Sequence, residues 1–259
     1  MWEKELQVAI EAGLKARIDI MKIYEAGFEV EIKDDNSPVT IADKTADRII
    51  REYIQNAFPH HALLTEESED NKERLSNDYV WIVDPVDGTK DFVAHDGGFT
   101  TNIALAYKHQ VVVGVVIVPT TGEYYFASKG QGAYYVNVKG QKERIHVNDK
   151  LDDLTVLCSV FHFNEKEAEL IEKHKDKIKH TAKFGSSLKP CRIAQGLAEI
   201  TYRMSMGTKE WDTAASDIIV KEAGGLFVEP DGKDMVYNRE DVYNRKGYIV
   251  VNRKENILL

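Results

Sequence analysis

Two aspartates separated only by Pro85 and Val86 stand where an apolar run ends, in Val83-Asp84-Pro85-Val86-Asp87-Gly88-Thr89-Lys90-Asp91-Phe92. Residues 79–83 read as a buried strand that stops on a carboxylate. Pro85 denies the ladder an N–H, and Asp87-Gly88-Thr89 is suited to open a helix. Two acids so placed repel each other unless a proton or a cation offsets them, and a hard divalent ion bound through oxygen does so economically. The start of the helix adds amide donors suited to a phosphate. Taken alone, a capping aspartate in a tight turn explains Asp-Gly-Thr equally well. Further acids change the balance. Glu66, followed by Glu67, ends the apolar run 62–65, Asp212 in Trp211-Asp212-Thr213-Ala214-Ala215 opens an apolar helix, and Asp43 follows Ser37-Pro38-Val39-Thr40. Each by itself could be a helix cap or a solvated charge.

The elements that must position these acids are legible in outline. Residues 2–26 carry Leu6, Ile10, Leu14, Ile18 and Met21 at helical intervals, with Gly27 as a stop. Residues 28–33 alternate like a strand, 34–38 have turn chemistry, and Thr40-Ile41-Ala42-Asp43 offers a cap for a helix through Ala57, closed by Pro59. Strands are expected over 62–65, 79–83, 101–107, 111–118, 124–127 and 133–138, joined as antiparallel hairpins. Beyond Asp149 strand and helix alternate: 155–160, 165–177, 187–195, 200–203 and 211–223. This shift places a boundary near residue 150, with units 1–150 and 151–259.

Composition excludes several classes. Among 259 residues, 43 Asp and Glu outweigh 34 Lys and Arg for a net charge of −9, which repels nucleic-acid polymers and anionic membranes. No run approaches the ~18 apolar residues of a membrane span, and the charged start lacks a signal-peptide core, so a cytoplasmic protein is expected. Cys158 and Cys191 read as free, buried thiols. No histidine pair has zinc spacing; His60-His61 reads as a surface turn and His95 as a loop residue. The mixed charges of 172–179 read as a solvated helix face, and Gly130-Gln131-Gly132 as a hairpin turn.

Glu66-Glu67, Asp84-Pro85-Val86-Asp87-Gly88-Thr89, and Trp211-Asp212 with Ala223-Gly224-Gly225, in that order over nearly the whole chain, resemble the inositol monophosphatase family of magnesium-dependent, lithium-sensitive phosphatases. Asn36-Ser37-Pro38-Val39-Thr40, Gly88-Thr89-Lys90-Asp91-Phe92, residues 99–105 and Gly185-Ser186-Ser187-Leu188-Lys189 are similar to its CysQ-type 3′(2′),5′-bisphosphate nucleotidases. The resemblance implies a layered α-β-α-β-α sandwich, an α/β (α+β) fold shared with fructose-1,6-bisphosphatase. It further implies that Glu66, Asp84, Asp87, Asp212 and the Val86 carbonyl hold two or three Mg2+ ions, and that Asp43 and Thr89 activate the attacking water. Gly88, Ser186, Ser187, Lys189 and Arg203 would meet the substrate, together with Glu66, Asp87, Thr89 and Asp212. Pro190 and Arg192 depart from the mostly aromatic and apolar residues of the family pattern, and no proline precedes Arg203.

The implied reaction is removal of the 3′-phosphate of 3′-phosphoadenosine 5′-phosphate, a by-product of sulfate activation. Family members are often dimers, so a homodimer is part of the expectation. An inositol or sugar phosphatase would use the same metal cluster. A haloacid-dehalogenase-type phosphatase would use Asp84 as a covalent nucleophile, but the Pro85-Val86 spacing misplaces its general acid. A non-catalytic nucleotide or metal sensor would not require both Asp43 and Thr89.

Overall fold

The computed structural model describes residues 2–32 and 38–259. Of the turn expected over 34–38, everything before Pro38 lies outside them, as do Asn36 and Ser37 of the family-like motif. Helix α1 (Glu3–Ala26) buries Ala9, Ala12, Gly13, Ala16 and Ile20. This corrects the expected stripe: Ile18 is exposed, and Leu6, Ile10, Leu14 and Met21 only flank the contact. Close approach is the reason, since a Cβ on Gly13 would lie 2.4 Å from Ile117 Cδ1. A small-residue face lets the helix sit directly on the sheet.

Short antiparallel strands β1 (Val30–Ile32) and β2 (Pro38–Thr40) lead into α2 (Ile41–Ala57). A seven-stranded sheet follows in sequence order: β3 (Ala62–Thr65), β4 (Tyr79–Asp87), β5 (Thr100–Tyr107), β6 (Gln110–Ile117), β7 (Tyr124–Ser128), β8 (Gly132–Val136) and β9 (Lys142–Ile145). From β4 to β9 every pairing is antiparallel, as the hairpin spacing predicts. The β3–β4 pair is instead parallel. The intervening residues 66–78 contain a 3-10 turn, Glu73–Ser76, and travel back along the sheet before β4 begins. Gly130-Gln131-Gly132 is the β7–β8 turn, as expected.

The second sheet has the order β11-β10-β12-β14-β13, built from β10 (Leu154–Ser159), β11 (Ile178–Phe184), β12 (Ile200–Arg203), β13 (Leu226–Val228) and β14 (Tyr248–Val251). After the short helix α3 (Thr89–Ala94) between β4 and β5, the next helix, α4 (Glu165–Lys173), ends four residues before the expected limit, because β11 begins at Ile178. Lys177 is in the turn between them. β11 is an edge strand whose residues after Ile178 are mostly exposed, so its polar sequence carries no alternation to betray it. Helix α5 (Leu188–Ala194) and helix α6 (Ala214–Glu222) complete the centre. The expected helix over 211–223 is divided, with Glu210–Asp212 forming a separate 3-10 turn.

Three cores separate five layers. One joins α1 and α2 to the seven-stranded sheet, one lies between the two sheets around α5 and α6, and one lies between the second sheet and α4. β4 shows how the pleat serves two of them: Trp81 and Val83 face α1 and α2, while Val80 and Ile82 face the centre. This is the α-β-α-β-α order implied by the resemblance. Helix α6 approaches the sheet so closely that a Cβ at Gly114 on β6 would sit 2.4 Å from Ala215 O. Both cysteines are free and buried. Exposed His60 fits a surface turn, but His61 is stacked on Phe58 and Tyr79 and accepts from Trp81 Nε1 at 3.1 Å. Among the described residues no helix is long and apolar enough to cross a membrane.

Candidate active site

The register of β4 brings its two aspartates together. Asp84 pairs with Asn102 and Asp87 with Thr100, so Pro85 and Val86 together oppose Thr101 alone. In an unbroken strand, residues 84 and 87 would face opposite sides; the extra residue of a bulge removes that alternation. Thr101 Oγ1 fixes the bulge by donating to Pro85 O at 2.8 Å, and the Val86 amide donates to Asp84 Oδ1 at 3.1 Å. Pro85 thus leaves the ladder without ending the strand, which runs on to Asp87.

Asp212 arrives from the far side of the cleft. Carboxylate oxygens of Asp84, Asp87 and Asp212 all lie within 4.8 Å of one another. Ser187, just before α5, ties the cluster together: its amide donates to Asp87 Oδ2 at 2.9 Å and its hydroxyl to Asp212 O at 3.2 Å. Asn102 Nδ2 lies 3.0 Å from both Asp87 Oδ2 and Ser187 Oγ. Ser187 is therefore buried as a brace among the acids. Glu66 follows β3 and lines the same cavity, of about 530 Å³, as do Val86 and Gly88.

Asp43 occupies the third position of α2, held by a reciprocal cap. Thr40 donates to Asp43 Oδ2 from its amide (2.8 Å) and its hydroxyl (2.7 Å), while Ala42 N donates to Thr40 Oγ1 at 3.1 Å. The other oxygen, Oδ1, lies 3.3 Å from Thr89 Oγ1, which is also 3.3 Å from Val86 O. Thr89 lines the cavity; Asp43 is buried and reaches it through that hydroxyl.

The same cavity carries cations. Lys90, Lys189 and Arg203 line the cavity with Ser186 and His162. Lys189 donates to Ser186 O at 2.9 Å and Phe184 O at 3.3 Å, and burial pulls its ammonium down to about 8 against the charge of Asp87. Ser186 is held in the left-handed region (φ 42°) and donates to Gly98 O at 2.8 Å. Arg203 Nη1 donates to His162 O at 3.2 Å. Sequence reasoning gave no role to Asn102 or Asp91. An amide placed directly before the apolar run 103–106 is a usable signal for Asn102. Asp91 is pushed up to about 7 by burial and by Asp96 and Asp87, but nothing in its spacing marks it as enclosed.

Electrostatics decide what the cluster can be. At 4.8 Å each pair of carboxylates repels by on the order of 3 kcal/mol at an effective dielectric of about 20. Burial, then Glu66, Asp87 and Asp212, raises Asp84 well above the usual carboxylate range. Burial, then Asp87 and Glu66, lifts Asp212 to about 8. Burial raises Asp87 too, opposed by its Asn102, Lys189 and Ser187 partners. A wholly oxygen donor set that is short of positive charge fits Mg2+ well.

A pH dependence follows. Because the folded values are raised, the native protein holds protons that the unfolded chain has released. Stability without metal should therefore fall as pH rises from near 4 toward about 8. Saturating Mg2+ should flatten this slope. Thermal unfolding in EDTA and in Mg2+ across that range checks it; a level metal-free midpoint would show that the acids do not carry this strain.

The inositol monophosphatase family profile matches residues 1–258. The chain is 34% identical to the 3′(2′),5′-bisphosphate nucleotidase CysQ of Salmonella typhimurium, covering 96% of this chain and 99% of that protein. It is 35% identical to the Nus factor SuhB of Pasteurella multocida, covering 88% and 85%. Among solved structures, CysQ from Bacteroides thetaiotaomicron superposes with a TM-score of 0.84 at 34% identity, covering 98% of this chain and 99% of that one. With its five layers and acid-lined cleft, the chain belongs to the inositol monophosphatase family.

Proposed function

We propose that the protein is a Mg2+-dependent cytoplasmic phosphatase that removes the 3′-phosphate of 3′-phosphoadenosine 5′-phosphate, giving AMP and phosphate. The observation that carries the reaction class is the meeting of Asp84, Asp87 and Asp212 in one cavity with Thr89, itself backed by Asp43. The substrate class is supported by the named activity of the CysQ relatives and by the cations that line the cavity beside the acids. A substrate with two phosphates needs both surfaces. A cavity of about 530 Å³ is within the ~300–1,000 Å³ range of small-ligand sites. Residues 1–150 would then supply all the proposed metal-holding acids except Asp212, and 151–259 most of the cationic and hydroxyl lining.

Glu66, Asp84, Asp87, Asp212 and the Val86 carbonyl would hold the cations, which when bound supply Lewis-acid charge for the phosphoryl oxygens and favour deprotonation of water. Thr89 Oγ1 has one proton. When that proton points to Asp43 Oδ1, the oxygen's lone pairs face the cavity and can accept from a water. As the water oxygen bonds to phosphorus, its proton passes to Thr89 and the Thr89 proton to Asp43. The P–O3′ bond breaks, and the leaving oxygen takes a proton from solvent. Burial raises the Asp43 carboxyl, against its two Thr40 donors, which makes it a stronger base than an exposed aspartate. Lys189, Ser186 and Arg203 would take the second phosphate and ribose.

Phosphate release from a panel of nucleotide bisphosphates, inositol phosphates and sugar phosphates tests the proposal. Expected is a kcat/KM for 3′-phosphoadenosine 5′-phosphate at least about a hundredfold above inositol 1-phosphate, because the latter leaves the cationic wall unpaired. Equal or inverted rates would reassign the substrate. An aspartyl-phosphate trapped at Asp84 during turnover would reject direct attack by water.

A further inference from the structure

Glu66 and Asp212 come from segments far apart in sequence and line the same cavity. Two carboxylates facing one cavity repel when both are ionised. What opposes their separation is a bridge of buried groups outside the cavity. Asp70, in the loop that begins with Glu66, grips Arg74 in a two-point fork, from Nε to Oδ1 at 3.0 Å and from Nη2 to Oδ2 at 2.8 Å. Arg74 is 2% exposed. Its Nη1 donates to Asn238 Oδ1 at 2.8 Å and its Nη2 to Arg239 O at 2.9 Å, while Asn238 Nδ2 donates back to Arg74 O at 3.1 Å.

The bridge continues to the Asp212 turn. The amides of Asn238 and Arg239 donate to the two oxygens of Glu210 at 2.6 and 2.8 Å, and Glu210 N donates to Val242 O at 3.0 Å. Glu210 is fully buried and opens the 3-10 turn that ends in Asp212. Burial raises its carboxyl, and the Arg239 amide and guanidinium oppose that rise. Ser68 anchors the other end of the loop, donating to Asp47 Oδ2 on α2 at 3.0 Å.

We infer that Arg74 and Asn238 are positioning residues that hold the Glu66 and Asp212 segments at cation-binding distance and so set the affinity of the acid cluster for divalent ions. The inference rests on the proposed reading of that cluster as a metal site. Partners of this kind act by fixing ligand geometry in advance, and their loss typically weakens metal binding about 10–100-fold. Neither residue lines the catalytic cavity, so neither meets substrate.

Asn238 offers a clean test. Its φ of 57° is in the left-handed region, which glycine adopts freely. Asn238→Gly keeps the amide that serves Glu210 and deletes only the two side-chain bonds to Arg74. Mn2+, an oxygen-seeking octahedral stand-in for Mg2+, is titrated into the full chain without substrate, and the free ion is counted by electron paramagnetic resonance. The Mn2+ dissociation constant is expected to rise about tenfold, with kcat at saturating Mg2+ within about twofold of wild type. Asn238→Asp, which keeps the acceptor for Arg74, should restore most of the affinity. Arg74→Lys, which keeps the charge but not the fork, should behave like Asn238→Gly. Both weakened variants should still unfold cooperatively; if Asn238→Gly does not, Arg74→Lys decides the matter. Folded variants that bind Mn2+ as tightly as wild type overturn the inference alone, whereas a wild-type chain that binds none overturns the metal reading beneath it.

Discussion

Asp84→Asn is expected to lower kcat/KM by about three orders of magnitude and to raise the Mg2+ concentration for half-activity at least about tenfold, while making the metal-free protein more stable. The opposite signs are the diagnostic part. Asp84 is 1% exposed, and Glu66, Asp87, Asp212 and Asp43 all press on its charge. The amide keeps the shape and can still accept from Val86 N, but removes one negative ligand and the repulsion it causes. Metal titration of activity, with thermal unfolding in EDTA, measures both effects. Activity retained at ordinary Mg2+ would remove Asp84 from the site.

Asp43→Asn should separate proton transfer from binding. Of the two Asp43 oxygens, Oδ2 takes both Thr40 donors, leaving Oδ1 for Thr89. An asparagine that keeps its oxygen toward Thr40 turns an NH2 toward Thr89, which can donate but accept nothing. The expected loss is about 10²–10⁴ in kcat, with KM and the Mg2+ requirement near wild type. The cap on α2 should weaken by about 1 kcal/mol or less. Steady-state kinetics at saturating Mg2+ read the result, and unchanged turnover would leave Asp43 as a helix cap only.

The acids at strand and helix ends could be read from sequence because each interrupts a hydrophobic pattern. Asp84 ends an apolar run, Glu66 follows another, and Asp212 precedes the apolar face of α6. The closeness of Asp84 and Asp87 is legible in their spacing, but that Asp212 joins them depends on tertiary packing and is reachable only through the family resemblance. β11, a polar edge without apolar rhythm, was hidden, whereas α1 was legible as a helix but is buried through alanines and a glycine where larger residues suggest a different face. The bridge from Asp70 through Arg74 and Asn238 to Glu210 left no trace either, since its members are far apart in the chain and ordinary singly. Arg74, in a charged loop, reads as solvated and is among the most buried polar residues.

Gly114 has a reach beyond its own strand. Asp84 and Asp87 belong to the sheet that includes β6, while Asp212 immediately precedes α6, which rests on Gly114 by backbone contact at Ala215. The separation of the two acid-bearing elements is thus gauged by the β6 main chain lying against the Ala215 carbonyl and the Ile218 side chain of α6. Any side chain at this position must push α6, and the Asp212 turn that leads into it, away from the strands that hold Asp84 and Asp87.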